Sequence, residues 1–394
     1  MRPSLSIVGF LADQPMSPRG ERALAIARAA DRIAHTELIV PTARGVIGQR
    51  ARQLTRIASP FMLDRWEPEA YWILSRRQSS PDGALLVGFP FSAVYWGARW
   101  LVRNGVRYVV DLGDPWALTL PDDERMPMGR LRAARCERFV WRHAAAGVLT
   151  TQLQADALRE YFPDLPIIVR PNGYRSAQHS QWRARHRQAA TGRTLRLVHY
   201  GNLYTSRVAV VPLLSRLAQS GRWERVVVTQ QGKDWTGVLR GLPPNVLVEF
   251  ARPDSWEKVV ESAGNHDLAI VVGNRNPAQL PSKAVQYLTL PIPRLAIVSG
   301  EGTDALTDYA QDKPGWLVLS SSASTETAAS AVAAHVQRPW SAEELLAPAE
   351  ESWESVAGTL VDLLVHHTMK AAASSSRMPA VHRPIVAAGT SRPR

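Results

Sequence analysis

Four segments of this 394-residue chain combine residue types that could hold an anionic or hydroxyl-rich ligand. Val109-Val110-Asp111-Leu112-Gly113-Asp114-Pro115-Trp116 ends an apolar run in two acids and an aromatic. An acid at the carboxyl end of a strand faces the cleft of an open sheet. Asp114 is thus placed to accept from ligand hydroxyls, and Trp116 to stack on a ligand ring. Asp111, earlier in the run, reads as structural. His199-Tyr200-Gly201-Asn202-Leu203 ends another apolar run, with Arg207 close behind. A Gly-Asn turn exposes backbone N–H groups, and an arginine supplies planar donors for a diphosphate. Gly232-Lys233 makes a further glycine turn beside a cation. Pro281-Ser282-Lys283 opens a helix with a proline in its first turn and a serine able to cap it. Lys283 there opposes the helix dipole unless an anion offsets it. Gly20, after the first apolar run, would let backbone approach an anionic group.

Plainer roles fit the same residues. Gly20 reads equally as an ordinary strand–helix turn, Asp114 and Trp116 as a turn cap with a buried aromatic. Arg207 and Lys233 read as solvated surface cations.

Several chemistries lack their signatures. There is no G-x-x-x-x-G-K-[ST] loop, no H-E-x-x-H, no G-x-S-x-G and no Asp-x-Asp. Gly300-Glu301-Gly302-Thr303-Asp304-Ala305 matches G-x-G-x-x-A, but on a late strand and without the acidic ribose partner about 20 residues on. The single cysteine, Cys136, excludes an internal disulfide framework and a multi-thiolate metal site. The net charge of +12 is uneven: residues 1–190 carry 27 basic and 17 acidic side chains, residues 191–365 carry 15 and 18, and the last 29 carry five and none. That asymmetry suits an anionic partner. Only five of the 47 cations are lysine, so arginine-rich base composition is an equal explanation. No nucleic-acid-binding signature accompanies the charge, and no nucleic-acid partner is expected. No apolar run reaches the roughly 18–20 residues of a spanning helix. A cytoplasmic protein is expected.

Alternating apolar runs and helical spacing set these residues on an α/β scaffold. Strands are predicted at Ser4–Leu11, Thr36–Val40, Ala84–Gly88, Val106–Leu112, Gly147–Thr150 and Pro166–Val169. A second series falls at Leu195–Tyr200, Arg225–Thr229, Asn245–Glu249, Leu268–Val272, Arg294–Val298 and Trp316–Leu319. Pro171-Asn172-Gly173 closes the first series, and Ser176–Arg193 reads as a linker. This gives an amino-terminal domain over 1–190 and a second over 191–340. A helical segment packs back over 341–366, the helix itself predicted at Ala342–Val365, and 367–394 form a disordered basic tail. Ala43–Ala58 has the pattern of a basic amphipathic helix, which suits either packing on its own sheet with a solvated outer face or peripheral contact with an anionic membrane.

Taken in order, DLGDPW, the Gly147–Gly173 stretch ending Pro-Asn-Gly, the Tyr-Gly-Asn strand end and the Pro-Ser-Lys helix resemble glycosyltransferases of the GT-B fold, most closely family 4, over about residues 4–320. The resemblance implies two Rossmann-like open parallel-sheet domains facing a cleft, the first binding the acceptor and the second the nucleotide-sugar donor. It implies a hexosyltransferase-like reaction with retention of configuration, no essential metal and no cofactor beyond the donor. Asp114, Arg207 and Lys283 would be catalytic. Gly20, Gly201, Asn202, Gly232, Lys233, Ser282, Gln286 and Tyr287 would hold the donor, and Asp114 and Trp116 the acceptor. That acceptor would be a saccharide, a lipid-linked sugar or a small molecule, in cell-surface polysaccharide, glycolipid or natural-product glycosylation. A lipid-linked acceptor would put the protein at the inner membrane face. The family's two helix-associated glutamates fall here on Ala278 and Gln286. An amide offers one acceptor oxygen where a carboxylate offers two, so the alternative is a non-catalytic GT-B-like partner or regulator of an active transferase.

Overall fold

The computed structural model describes residues 2–9, 18–40, 73–77, 79–88, 91–120, 127–175, 193–203, 210–234, 237–252, 256–300 and 302–369. Its framework is two six-stranded sheets, all neighbours parallel. The first comprises β1 (Ser4–Gly9), β2 (His35–Ile39), β3 (Gly83–Val87), β4 (Tyr108–Leu112), β5 (Ala146–Leu149) and β6 (Ile167–Val169), in the order β2-β1-β3-β4-β5-β6. Strands β3, β4 and β5 are buried along their whole length, as parallel strands covered on both faces must be.

The period-two alternation of side chains divides the core. Leu5, Ile7, Leu85 and Val109 point to one face, against α1 (Pro18–Ala30) and the last helix. Val8, Leu86 and Val110 point to the other. There they meet α2 (Phe91–Arg103), α3 (Pro127–His143) and α4 (Gln152–Arg159).

The second sheet holds β7 (Thr194–Tyr200), β8 (Arg225–Gln231), β9 (Val246–Ala251), β10 (Leu268–Val272), β11 (Arg294–Val298) and β12 (Trp316–Ser320). Its order, β12-β11-β10-β7-β8-β9, is that of a dinucleotide-binding sheet. Leu197, Val228 and Ile270 face α5 (Val211–Gln219) and α9 (Thr325–Gln337). Val198, Val271 and Ala296 face α6 (Trp256–Ala263), α7 (Ser282–Gln286) and α8 (Ala305–Ala310).

The single carboxy-terminal helix expected over 342–365 is two helices. Pro348 separates α10 (Ala342–Leu345) from α11 (Trp353–Thr368), because proline has no N–H to continue the ladder. Helix α11 returns to the first sheet, burying Val356, Leu360 and Leu364 against it. The outgoing and returning chains pair side by side: Tyr174 N–H donates to Glu351 O at 3.0 Å and Trp353 N–H to Tyr174 O at 2.9 Å. A Cβ on Gly173 would lie 2.7 Å from Trp353 N, so the close approach needs a glycine there. Among the described residues no helix is long and apolar enough to cross a membrane. The amphipathic stretch at 43–58, nearly all of the proposed linker and the tail from 370 lie outside the described residues.

Candidate functional site

The strand order reverses between β1 and β3 in one sheet and between β7 and β10 in the other. Crevices form at the carboxyl ends of strands at such points. A cavity of about 240 Å³ lies between the two domains, lined from the first by Arg22, Asp111, Asp114 and Thr150 and from the second by Asn274, Gln279 and Ser282 among others. Of the candidate residues it takes in Asp114 and Ser282.

Asp111 and Arg22 frame its floor. Asp111 ends β4 fully buried, and Arg22 meets it with two bonds, from Nε at 2.6 Å and Nη2 at 2.9 Å. The remaining guanidinium donors reach Pro171 O at 2.8 Å, Arg170 O at 3.0 Å and Asn172 Oδ1 at 3.5 Å. All five N–H groups therefore have acceptors, and the pair ties α1, β4 and the chain leaving the first domain into one unit.

Asp114 sits beyond the strand end. Its Oδ1 accepts from Gln279 Nε2 of the second domain at 2.7 Å. Nearby, the Ala278 carbonyl accepts from Thr151 Oγ1 at 2.9 Å and Gln154 Nε2 at 3.0 Å. Thr151 also caps α4, accepting from Gln154 N–H with the same hydroxyl. The 274–281 segment thus docks on the first domain. Ala278, where the resembled family has a glutamate, contributes its backbone to that contact.

Trp116 does not face the cavity. It is 1% exposed, and its ring stacks on Phe91 with centroids 4.7 Å apart. The acidic flanks of DLGDPW suggested a cleft position, but the loop folds the indole back into the core. That loop is held from below by α3: Leu118 N–H donates to Glu137 Oε2 at 2.7 Å, and Arg130 Nη2 donates to Leu120 O at 2.8 Å.

Burial pushes the Glu137 carboxyl up to about 7, against opposing hydrogen bonds from Leu118, Trp141 and Ala117. The folded protein keeps this proton where the unfolded chain has lost it. Its contribution to stability is therefore full below about pH 4.5 and lost as pH rises to about 7, a change of about 3 kcal/mol. Urea unfolding of wild type and Glu137→Gln across that range should show the slope in the first and not in the second. An equal slope in both would assign it elsewhere.

The second-domain candidates form a separate cluster. Gly201 and Gly232 follow β7 and β8 at φ +137° and +134°, a region that disfavours residues with a Cβ. A Cβ on Gly232 would lie 2.4 Å from Gly201 O, so the two turns pack backbone to backbone. The turn N–H groups expected to be open are partly engaged within the protein. Gly201 N–H donates to Gln231 O, Leu203 N–H to Lys233 O and Lys233 N–H to Asn202 Oδ1. The Lys233 side chain is exposed.

Lys283 lies over Gly201: a Cβ there would be 3.7 Å from Lys283 Cε. Its Nζ donates to Gln286 Oε1 at 2.6 Å and sits 5.1 Å from the Trp256 ring centroid. Ser282 is not the cap of α7; Pro281 occupies that position and Ser282 begins the helix. Tyr287 is fully buried and clamps Tyr200, accepting from its N–H at 2.6 Å and donating to its O at 3.2 Å. It positions the Gly201 turn from within the core. Gly20 lies inside the first turn of α1 rather than in the preceding loop, and is buried. Arg207 lies outside the described residues.

Sequence reasoning missed Arg22, Gln279, Thr151, Gln154 and Glu137. Arg22 left a trace: it stands four residues before Ile26, on the apolar face of α1, where an unpaired guanidinium would be costly.

No family model and no curated protein matches the sequence. Solved structures do match in fold. Anabaena Alr3699/HepE, in complex with UDP and glucose, aligns with a TM-score of 0.53 and 13% identity over 95% of this chain and 100% of that one. The same protein with UDP-glucose gives 0.51 and 14% over the same shares. Staphylococcus aureus MnaA with UDP gives 0.51 and 8%, over 92% of this chain and 96% of that one. The fold is the two-domain, Rossmann-like GT-B fold.

Proposed function

We propose that this protein is a nucleotide-sugar-dependent glycosyltransferase. The observation that carries the reading is the cavity between the carboxyl ends of two doubly wound sheets, lined from both, in a fold shared with proteins solved with UDP and UDP-glucose. Departure of a nucleoside diphosphate places negative charge on its phosphates, and a fixed cation stabilises that charge more in the transition state than in the ground state. Lys283, above the Gly201–Gly232 turns, supplies such a cation, and Arg207 is assigned the same task. Asp114 reaches the cavity from the first domain and is assigned to the acceptor hydroxyl. Retention of configuration, transfer without an essential metal and a hexose as the transferred sugar belong to the same reading, on the resemblance of the motifs.

Gln286 and Ala278 favour the second reading, a non-catalytic partner of an active transferase. Turnover separates the two. The protein is incubated with UDP-, GDP- and ADP-sugars and a panel of hydroxylated acceptors, and released nucleoside diphosphate is measured. Acceptor-dependent release supports transfer; nucleotide binding without release supports the partner reading.

A further inference from the structure

We propose that the outer face of α3 is a docking surface for an anionic membrane. The helix carries five arginines and one carboxylate, Glu137, and that carboxylate is buried on the inner face. Arg132, Arg135, Arg138 and Arg142 are all exposed. Among the described residues no salt bridge joins a carboxylate to any of the four; Arg138 feels the buried Glu137 electrostatically and lies over the Tyr161 ring at 5.5 Å.

Arg142 in the last turn complements the helix dipole, but Arg132 and Arg135 in the first half gain nothing from it. The first turn holds no acid to offset them. Four like charges held together on a folded surface repel one another, and an external polyanion relieves the repulsion.

Apolar exposure on the same face favours a lipid surface over other polyanions. Leu131 is 63% exposed and Tyr161 46%. At 3.6 residues per turn, Leu131, Arg135, Arg138 and Arg142 fall on one stripe. A leucine that enters the acyl boundary, beside arginines whose stems lie along it and whose heads meet lipid phosphates, is the pattern of an interfacial helix.

The inner face of this helix holds the loop that carries Asp114, through Glu137 with Leu118 and Arg130 with Leu120. A membrane on the outer face would therefore lie one helix away from the acceptor loop. Only this last point, a membrane-borne acceptor, rests on the transfer reading; the docking surface does not.

The test is co-sedimentation of the full chain with vesicles of phosphatidylcholine alone or mixed with phosphatidylglycerol. Binding to the mixed vesicles only is expected. Replacing Arg132, Arg135 and Arg142 together by Gln should weaken it by roughly fivefold for each charge removed. Leu131→Ser should weaken vesicle binding about tenfold while leaving binding to a random DNA duplex unchanged. Thermal unfolding of both variants should match wild type, since none of these side chains is buried.

Three results would overturn the proposal. The first is indifference of the wild type to anionic vesicles. The second is wild-type binding by the triple variant, which would move the contact to another basic segment. The third is vesicle binding insensitive to Leu131, which would make the face a general polyanion or nucleic-acid surface. A nucleotide site that fails to bind would leave all of these readouts intact.

Discussion

Asp111→Ala should lower the unfolding free energy by about 3–5 kcal/mol. The substitution leaves the Arg22 guanidinium, itself 3% exposed, without its counter-charge at the join of α1 and β4. Two carbonyls of the departing chain still accept from Arg22, at Pro171 and Arg170, but neither carries a charge. Removing both partners together should cost less than removing one, because no unpaired ion then remains buried. Denaturant unfolding of Asp111→Ala, Arg22→Met and the double variant measures this. Additive losses would show that the two side chains act independently and would contradict the account.

Lys283→Ala should weaken nucleoside diphosphate binding by roughly 10- to 150-fold, the range of about 1.5–3 kcal/mol for a hydrogen bond to a charged group. Stability should change little. The residue is half-buried, its Nζ donates to the neutral Gln286 amide oxygen, and its ring contact with Trp256 is a minor contributor. Lys283→Arg should recover part of the affinity, since charge is retained but reach and geometry are not. Titration calorimetry with the tightest-binding nucleotide reads both variants. Wild-type affinity in Lys283→Ala would remove the residue from the donor site.

The framework was legible because the central parallel strands are largely apolar runs. Leu268–Val272 and Arg294–Val298 are the strands β10 and β11 to the residue, each buried on both faces. The site was less legible because its key pairings join distant positions. Arg22 meets Asp111 across 89 residues and Asp114 meets Gln279 across 165. Beyond the place of Arg22 on the apolar face of α1 and of Asp111 within an apolar strand, nothing local distinguishes those side chains from solvated ones. Trp116 and Tyr287 failed as ligand-facing residues for one physical reason: large aromatics beside a strand end fill the core as readily as they line a cleft. The broken carboxy-terminal helix was written in Pro348, and the apolar periodicity on both sides masked it.

The measurement that bears most directly on a nucleotide-sugar site is the melting temperature of the purified protein against UDP, GDP, ADP, CMP and their sugars, without added metal. Saturable stabilisation by several degrees, confined to one nucleotide and its sugars, is the predicted result, since a ligand that binds only the folded state raises its stability by mass action. A flat response to every nucleotide at millimolar concentration would contradict the account.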